Sequence, residues 1–227
     1  MKRLQASTAV AVFVKTPGLS PIKTRLAAGL GTDLAEHWHR RAAACIARVV
    51  TSTGLPGHWA VAEREALEHP LWRDLPRLAQ GTGSLGQRMA RVHTDLLCRH
   101  SAAVLLGADL PQLQGRHLTA ATEWLMDDQP RAVLGPALDG GFWLFGANRP
   151  VDEARWTGVT YSRCDTATAF RSALGNEFAW KDLEPLTDLD SCDDLTAVHA
   201  ELGQIPDPLP CQIELRDWLA ALSGTHA

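Results

Sequence analysis

A short apolar run, Thr8 to Phe13 (TAVAVF), empties into Val14-Lys15-Thr16-Pro17-Gly18-Leu19-Ser20-Pro21-Ile22-Lys23-Thr24-Arg25-Leu26, and a long helical pattern follows. A buried strand, a Pro/Gly-bearing loop and a helix in succession open an α/β unit. In an open α/β sheet, ligands sit in the crevice outside the carboxyl ends of the strands. This loop occupies such a place and carries Lys15, Lys23 and Arg25 within a chain of formal charge -4. Backbone amides, a helix start and clustered cations suit phosphate groups. Any one of these lysines alone also fits a solvated surface.

The alternation persists along the chain. Strands are expected at Thr8–Val14, His58–Ala62 (HWAVA), briefly at Leu78–Gly81, and at Ala102–Leu106 (AAVLL), Arg131–Gly135, Phe142–Phe145 and Phe178–Leu183. Helices are expected from Asp33, with Glu36 completing a capping box, to about Val50, and from Ser84 to about Arg99. Further helices are expected at Gly115–Met126, Asp165–Leu174, Ser191–Leu202 and Ile213–Leu222, whereas Val151–Arg163 reads as irregular. The pattern is that of a three-layer α/β/α fold with a mainly parallel sheet.

Composition excludes several classes. A pI near 6.1 lacks the basic field of a nucleic-acid binder. The five cysteines are scattered and never form C-x-x-C, which argues against a disulfide framework or structural zinc. No apolar run approaches the roughly 18 residues of a membrane span. The expected setting is therefore the cytoplasm, without membrane or nucleic-acid partners. The terminal helix is apolar at Leu215, Trp218, Leu219 and Leu222, which leaves open packing on the body or on a second copy as a homodimer.

Four further segments supply chemistry. Asp109 follows the AAVLL strand and fits a divalent-metal ligand, because Mg²⁺ takes one or two carboxylates plus phosphate oxygens; it fits a helix N-cap equally. Asp190, with Asp188 as the fallback, is the candidate second metal ligand, although either also fits a cap for the Ser191 helix. Asp139-Gly140-Gly141-Phe142 allows close backbone approach to a ligand and is also a hairpin signal. Arg88 lies in the first turn of the Ser84 helix, where a cation opposes the helix dipole unless an anion is near. A metal site at His37-Trp38-His39 is disfavoured, because i and i+2 face different ways on a helix.

In order along the chain, K-T-P-G-x-S-x-x-K-T-R-L, L-G-Q-R-M, G-A-D-L-P, G-P-A-x-D-G-G-F-W-L and D-L-D-S-x-x-D-L resemble the bacterial DUF2064 proteins. These are also called the radical-SAM/selenodomain-associated transferase 1 family. The resemblance spans roughly residues 8 to 202. It implies the nucleotide-diphospho-sugar transferase superfamily: a Rossmann-like GT-A fold with a mixed, mainly parallel sheet, forming one domain over residues 1–227 with 203–227 as a helical extension. It also implies a nucleotide held by Lys15, Thr16, Pro17, Gly18, Lys23, Arg25 and Arg88, and Mg²⁺ or Mn²⁺ on Asp109 and Asp190. The acceptor is then expected at Gly140, Gly141 and Phe142, with Asp139 and Lys23 catalytic. Ala108, Leu138 and Phe142 depart from the family's usual Thr, acidic residue and Tyr; none of the three is a proposed metal ligand.

Two reactions fit these residues: glycosyl transfer from a nucleotide-diphosphate sugar to a small acceptor, and nucleotidyl transfer from a nucleoside triphosphate to a phosphorylated acceptor. The family labels favour the first; the several cations and the single Asp109 favour the second. A non-catalytic nucleotide-binding module is the third reading.

Overall fold

The computed structural model describes residues 5–225, and the side chains of residues 7–222. Seven strands form one sheet: β1 (Gln5–Val14), β2 (Gly57–Val61), β3 (Arg77–Ala79), β4 (His100–Gly107), β5 (Arg131–Pro136), β6 (Phe142–Ala147) and β7 (Ala179–Asp182). Their order is β3-β2-β1-β4-β6-β5-β7. Only β6 runs antiparallel to its neighbours. The mixed, mainly parallel sheet expected from the sequence is thus observed.

On β1, Val10, Val12 and Val14 enter one core and Ala9 and Ala11 the other. The first core lies under α2 (Thr32–Ser52) and α4 (Gly115–Leu125). The second lies under α3 (Leu85–Leu97), α5 (Glu153–Thr157) and α6 (Thr166–Leu174). Strands covered on both faces read as continuous apolar runs, as AAVLL does. A third apolar cluster joins α1 (Thr24–Leu30) and α2 to α7 (Leu195–Gly203) and α8 (Pro210–Thr225).

Several local expectations change. Gly31, at φ 89°, ends α1 and caps α2, so Asp33 sits inside the first turn of α2 rather than at its N-cap. Glycine reaches that φ without strain, and so an additional helix, α1, abuts the one expected from Asp33. The stretch read as irregular contains α5, which is capped by Asp152 and anchored by the buried Trp156. On α8, Leu215 and Leu219 are buried within the chain and Trp218 stacks on Trp38. Two of the four apolar residues that left a homodimer open are therefore spent inside the chain, while Trp218 and Leu222 stay half-buried. Among the described residues no helix is long and apolar enough to cross a membrane.

His93 of α3 is fully buried between Phe145 and Trp156, and neither ring nitrogen has a hydrogen-bond partner. Burial pushes its pKa down to about 3. The unfolded chain binds this proton below about pH 6.5 and the native state does not, so stability is complete above that pH and is lost as pH falls toward 3. Denaturant melts at pH 7 and pH 5 should show the wild type losing about 2 kcal/mol more than His93→Leu. Equal losses would remove His93 as the source.

Candidate functional site

The strand order reverses between β1 and β4, so a crevice opens where the loops leaving their carboxyl ends part. A cleft of about 690 Å³ occupies this place. Lys15, Lys23, Arg25, Arg88, Asp109, Asp188 and Asp190 all line it.

The acidic residues arrive from opposite parts of the sheet. Asp109 follows β4 directly. Asp188 and Asp190 follow β7 at the sheet's edge, and the chain crosses back over the strand ends to deliver them. That crossing is held by a bridge between Ala137 and Leu186 and by Gln112 Nε2 donating to the Thr187 carbonyl at 2.6 Å. None of the three carboxylates caps a helix. Gln114 caps α4, while Ser191 and Asp194 cap the turn leading to α7, the Asp194 carboxylate accepting from the Asp190 and Ser191 amides.

Instead, all three converge on Lys23. Its Nζ lies 2.7 Å from Asp188, 2.8 Å from Asp190 and 3.3 Å from Asp109, with the lysine side chain 6% exposed. Lys23 holds φ 44°, ψ 50°, a left-handed backbone that a non-glycine residue adopts at some strain. Burial disfavours its charge, but Asp109, Asp188 and Asp190 outweigh burial and hold its pKa above the ordinary lysine range. Burial likewise works against Asp109's charge, yet Lys23 and His39 keep its carboxyl well below the usual range. Asp188 goes the other way: burial, opposed by Lys23 and reinforced by Asp109 and Asp190, pushes it up to about 7.

His39 was passed over in the sequence. It sits on the buried face of α2, with Nδ1 2.9 Å from Asp109 Oδ1 and Nε2 donating to the Lys15 carbonyl at 3.0 Å. Burial lowers its pKa, but the Asp109 charge and hydrogen bond and the Lys15 carbonyl outweigh this and raise it. Both neighbours are acceptors, so the imidazolium satisfies both. The available signal was its place on the helix face that also carries Ala35, Ala42 and Ala43, all buried.

The remaining candidates separate. Thr16 is buried, its amide donating to Glu63 at 2.9 Å and its hydroxyl accepting from Trp72 Nε1 at 3.0 Å, so it fixes the loop and does not line the cleft. Pro17 and Gly18 also lie outside the lining; Gly18, at φ 80°, turns the loop. Asp139, Gly140 and Gly141 form the β5–β6 hairpin turn, with Asp139 exposed and its Oδ1 accepting from the Gly141 amide. A Cβ on Gly140 would meet the Cys164 carbonyl at 1.9 Å, so that side of the turn is packed against protein. Phe142 packs on Phe170 and Tyr161. The hairpin adjoins the cleft through the 162–164 segment, where Ser162 is a lining residue.

Lys15, Arg25 and Arg88 retain cationic heads in the cleft. Arg25 is 70% exposed and 3.7 Å from Asp190, and Arg88 donates from Nε to the Gly83 carbonyl. Among the described residues no three metal-ligating side chains converge on one empty point. Hard carboxylate oxygens gathered around one ammonium beside Lys15, Arg25 and Arg88 are nonetheless a suitable donor set for a divalent ion shared with substrate phosphates.

Solved structures share this architecture. A protein from Desulfovibrio desulfuricans, provisionally named a nucleotide-diphospho-sugar transferase, matches with TM-score 0.79 and 21% identity over 95% of this chain and 97% of its own. A cytidylyltransferase from Leptospira borgpetersenii matches with TM-score 0.56 and 10% identity, covering 97% and 96% of the two chains. The 4-diphosphocytidyl-2C-methyl-D-erythritol synthase from Anaerococcus prevotii matches with TM-score 0.54 and 9% identity, covering 88% and 97%. At these identities the likeness is one of fold. No curated protein matches the sequence. The family model described as "Uncharacterized protein conserved in bacteria (DUF2064)" matches residues 37–163, more than half of the chain and a span that includes His39, Arg88, Asp109 and the Asp139 hairpin. The chain belongs to the DUF2064 family.

Proposed function

We propose that this chain is a divalent-metal-dependent transferase acting on nucleotide substrates, and that it moves a glycosyl group from a nucleotide-diphosphate sugar to a small acceptor. The observation that carries this reading is the gathering of Asp109, Asp188 and Asp190 on Lys23 at the β1/β4 switch point, beside Lys15, Arg25 and Arg88.

In this reading Asp109 and Asp190 hold Mg²⁺ or Mn²⁺, with Asp188 adjoining. The bound ion supplies Lewis-acid stabilisation of the charge that develops on the leaving phosphate oxygens. Lys15, Arg25 and Arg88 bind the diphosphate and stabilise the same charge from the open side of the cleft. His39 keeps Asp109 ionised and fixes its direction. Asp139 orients the acceptor hydroxyl and takes its proton as the bond from the anomeric carbon to phosphate oxygen breaks and the bond to the acceptor forms. Residues 1–227 act as one domain, with α8 as a brace.

Nucleotidyl transfer is the second reading. It is favoured by three cations besides Lys23 that line one cleft, more than a diphosphate requires. A thermal-shift screen of nucleoside triphosphates and nucleotide-diphosphate sugars, each with and without Mg²⁺ or Mn²⁺, separates the two, because a ligand of the native state raises the melting temperature by mass action. A metal-dependent shift with a diphosphate sugar is the expected result. A shift confined to triphosphates moves the assignment to nucleotidyl transfer, and no shift with any nucleotide overturns both.

A further inference from the structure

We infer that Cys45 and Cys211 are a peroxide-responsive pair that closes into a reversible disulfide and staples α8 to α2 behind the Asp109 loop. The two sulfurs come from residues 166 positions apart and lie 2.6 Å from each other. Cys45 is fully buried in the middle of α2, and Cys211 is 7% exposed in the first turn of α8. Both sit on helices already locked together by Trp38 against Trp218 and by Arg41 with Glu214 at 3.2 Å. Closing the bond therefore requires little reorganisation. Cys98 and Cys164 are exposed and Cys192 is half-buried, which supplies three internal comparisons.

The pair stands close to the proposed site. Gln212, next to Cys211, donates from Nε2 to the carbonyls of Pro111 and Leu113, both at 2.8 Å, in the loop that begins at Asp109. Cys45 shares α2 with His39, which holds Asp109 itself. A bond between these helices fastens both supports of that loop.

The chemistry balances with hydrogen peroxide as oxidant. With the Cys45 thiol donating toward Cys211, that contact, opposed by burial and aided by the charge of Arg48, lowers the Cys211 thiol below the ordinary thiol range. The Cys211 thiolate attacks a peroxide oxygen, the O–O bond breaks, and a sulfenic acid and hydroxide form. The Cys45 sulfur then attacks the sulfenic sulfur, the S–S bond forms and water leaves. Two thiols and one peroxide become one disulfide and two waters.

The test treats the native full-length chain with stoichiometric hydrogen peroxide, quenches with an alkylating reagent, and maps the digest by mass spectrometry alongside thermal melts with and without dithiothreitol. The expected result is a Cys45–Cys211 cross-linked peptide pair and a melting temperature higher by roughly 5 °C or more, reversed by dithiothreitol, because the bond closes a very long loop. Cys45→Ser and Cys211→Ser should each lose both signals. If those variants fail to fold, the wild-type peptide map and its reductant dependence decide alone. Oxidation confined to Cys98, Cys164 or Cys192, or a melting temperature indifferent to dithiothreitol, overturns the inference.

Discussion

Asp109→Asn is expected to lower transferase turnover by at least about 100-fold and to remove the metal dependence of nucleotide binding, while the fold survives. The carboxylate meets two cations, Lys23 at 3.3 Å and His39 at 2.9 Å. Substitution by the carboxamide spares the structure for a local reason. Lys23 retains Asp188 and Asp190, and His39, without the neighbouring charge that raised it, becomes neutral and accepts at Nδ1 from the new amide. The stability loss should therefore stay near about 1–2 kcal/mol. Denaturant melts test that figure, and nucleotide thermal shifts with and without Mn²⁺ test the rest. A variant whose nucleotide shift keeps the wild-type metal dependence would remove Asp109 from the metal site.

Lys23→Met is expected to act oppositely on stability and on metal. It leaves Asp109, Asp188 and Asp190 gathered without their shared counter-charge. Uncompensated charge of this kind destabilises strongly, but Asp190 is 37% exposed and partly screened, so about 2–4 kcal/mol is the expected loss. A divalent ion can occupy the vacated position. Millimolar Mn²⁺ alone should then restore most of the loss in the variant and do less for the wild type, where without nucleotide phosphates the ion competes with the Lys23 ammonium for Asp109 and Asp190. Melts in a Mn²⁺ series read this directly. An equal Mn²⁺ response in both proteins would show that Lys23 and the metal do not share the carboxylates. Weakened nucleotide binding with unchanged metal affinity would return Lys23 to a simple phosphate contact.

Much of the architecture was legible before any coordinates. The apolar runs at Thr8 and Ala102 are buried on both faces, so their composition alone marks them as parallel strands. Ser84 caps α3 as its place before the helix predicted, because a cap is a contact between near neighbours, and Gln87 completes the box. What was not anticipated is α1, which forms in the stretch ahead of the helix expected from Asp33 and is divided from α2 only by the positive φ of Gly31.

The site was legible to the level of the sheet edge and no further. A residue that follows a parallel strand must emerge at the carboxyl edge, and so Lys15 and Asp109 shared one rim on the sequence alone. Which charges pair across that rim depends on strand order and on how the 183–190 segment returns over the strand ends. The tertiary structure alone therefore drew Lys23 away from an open phosphate loop into three carboxylates, placed His39 between Asp109 and the Lys15 carbonyl, and buried Thr16 under Trp72. It likewise brought Cys45 against Cys211, because α8 packs back on α2. Local propensity and hydrophobic pattern act within a few residues and determined the elements of this protein; its charge pairs and its thiol pair join segments far apart in the chain, and only the packed sheet and helices decided them.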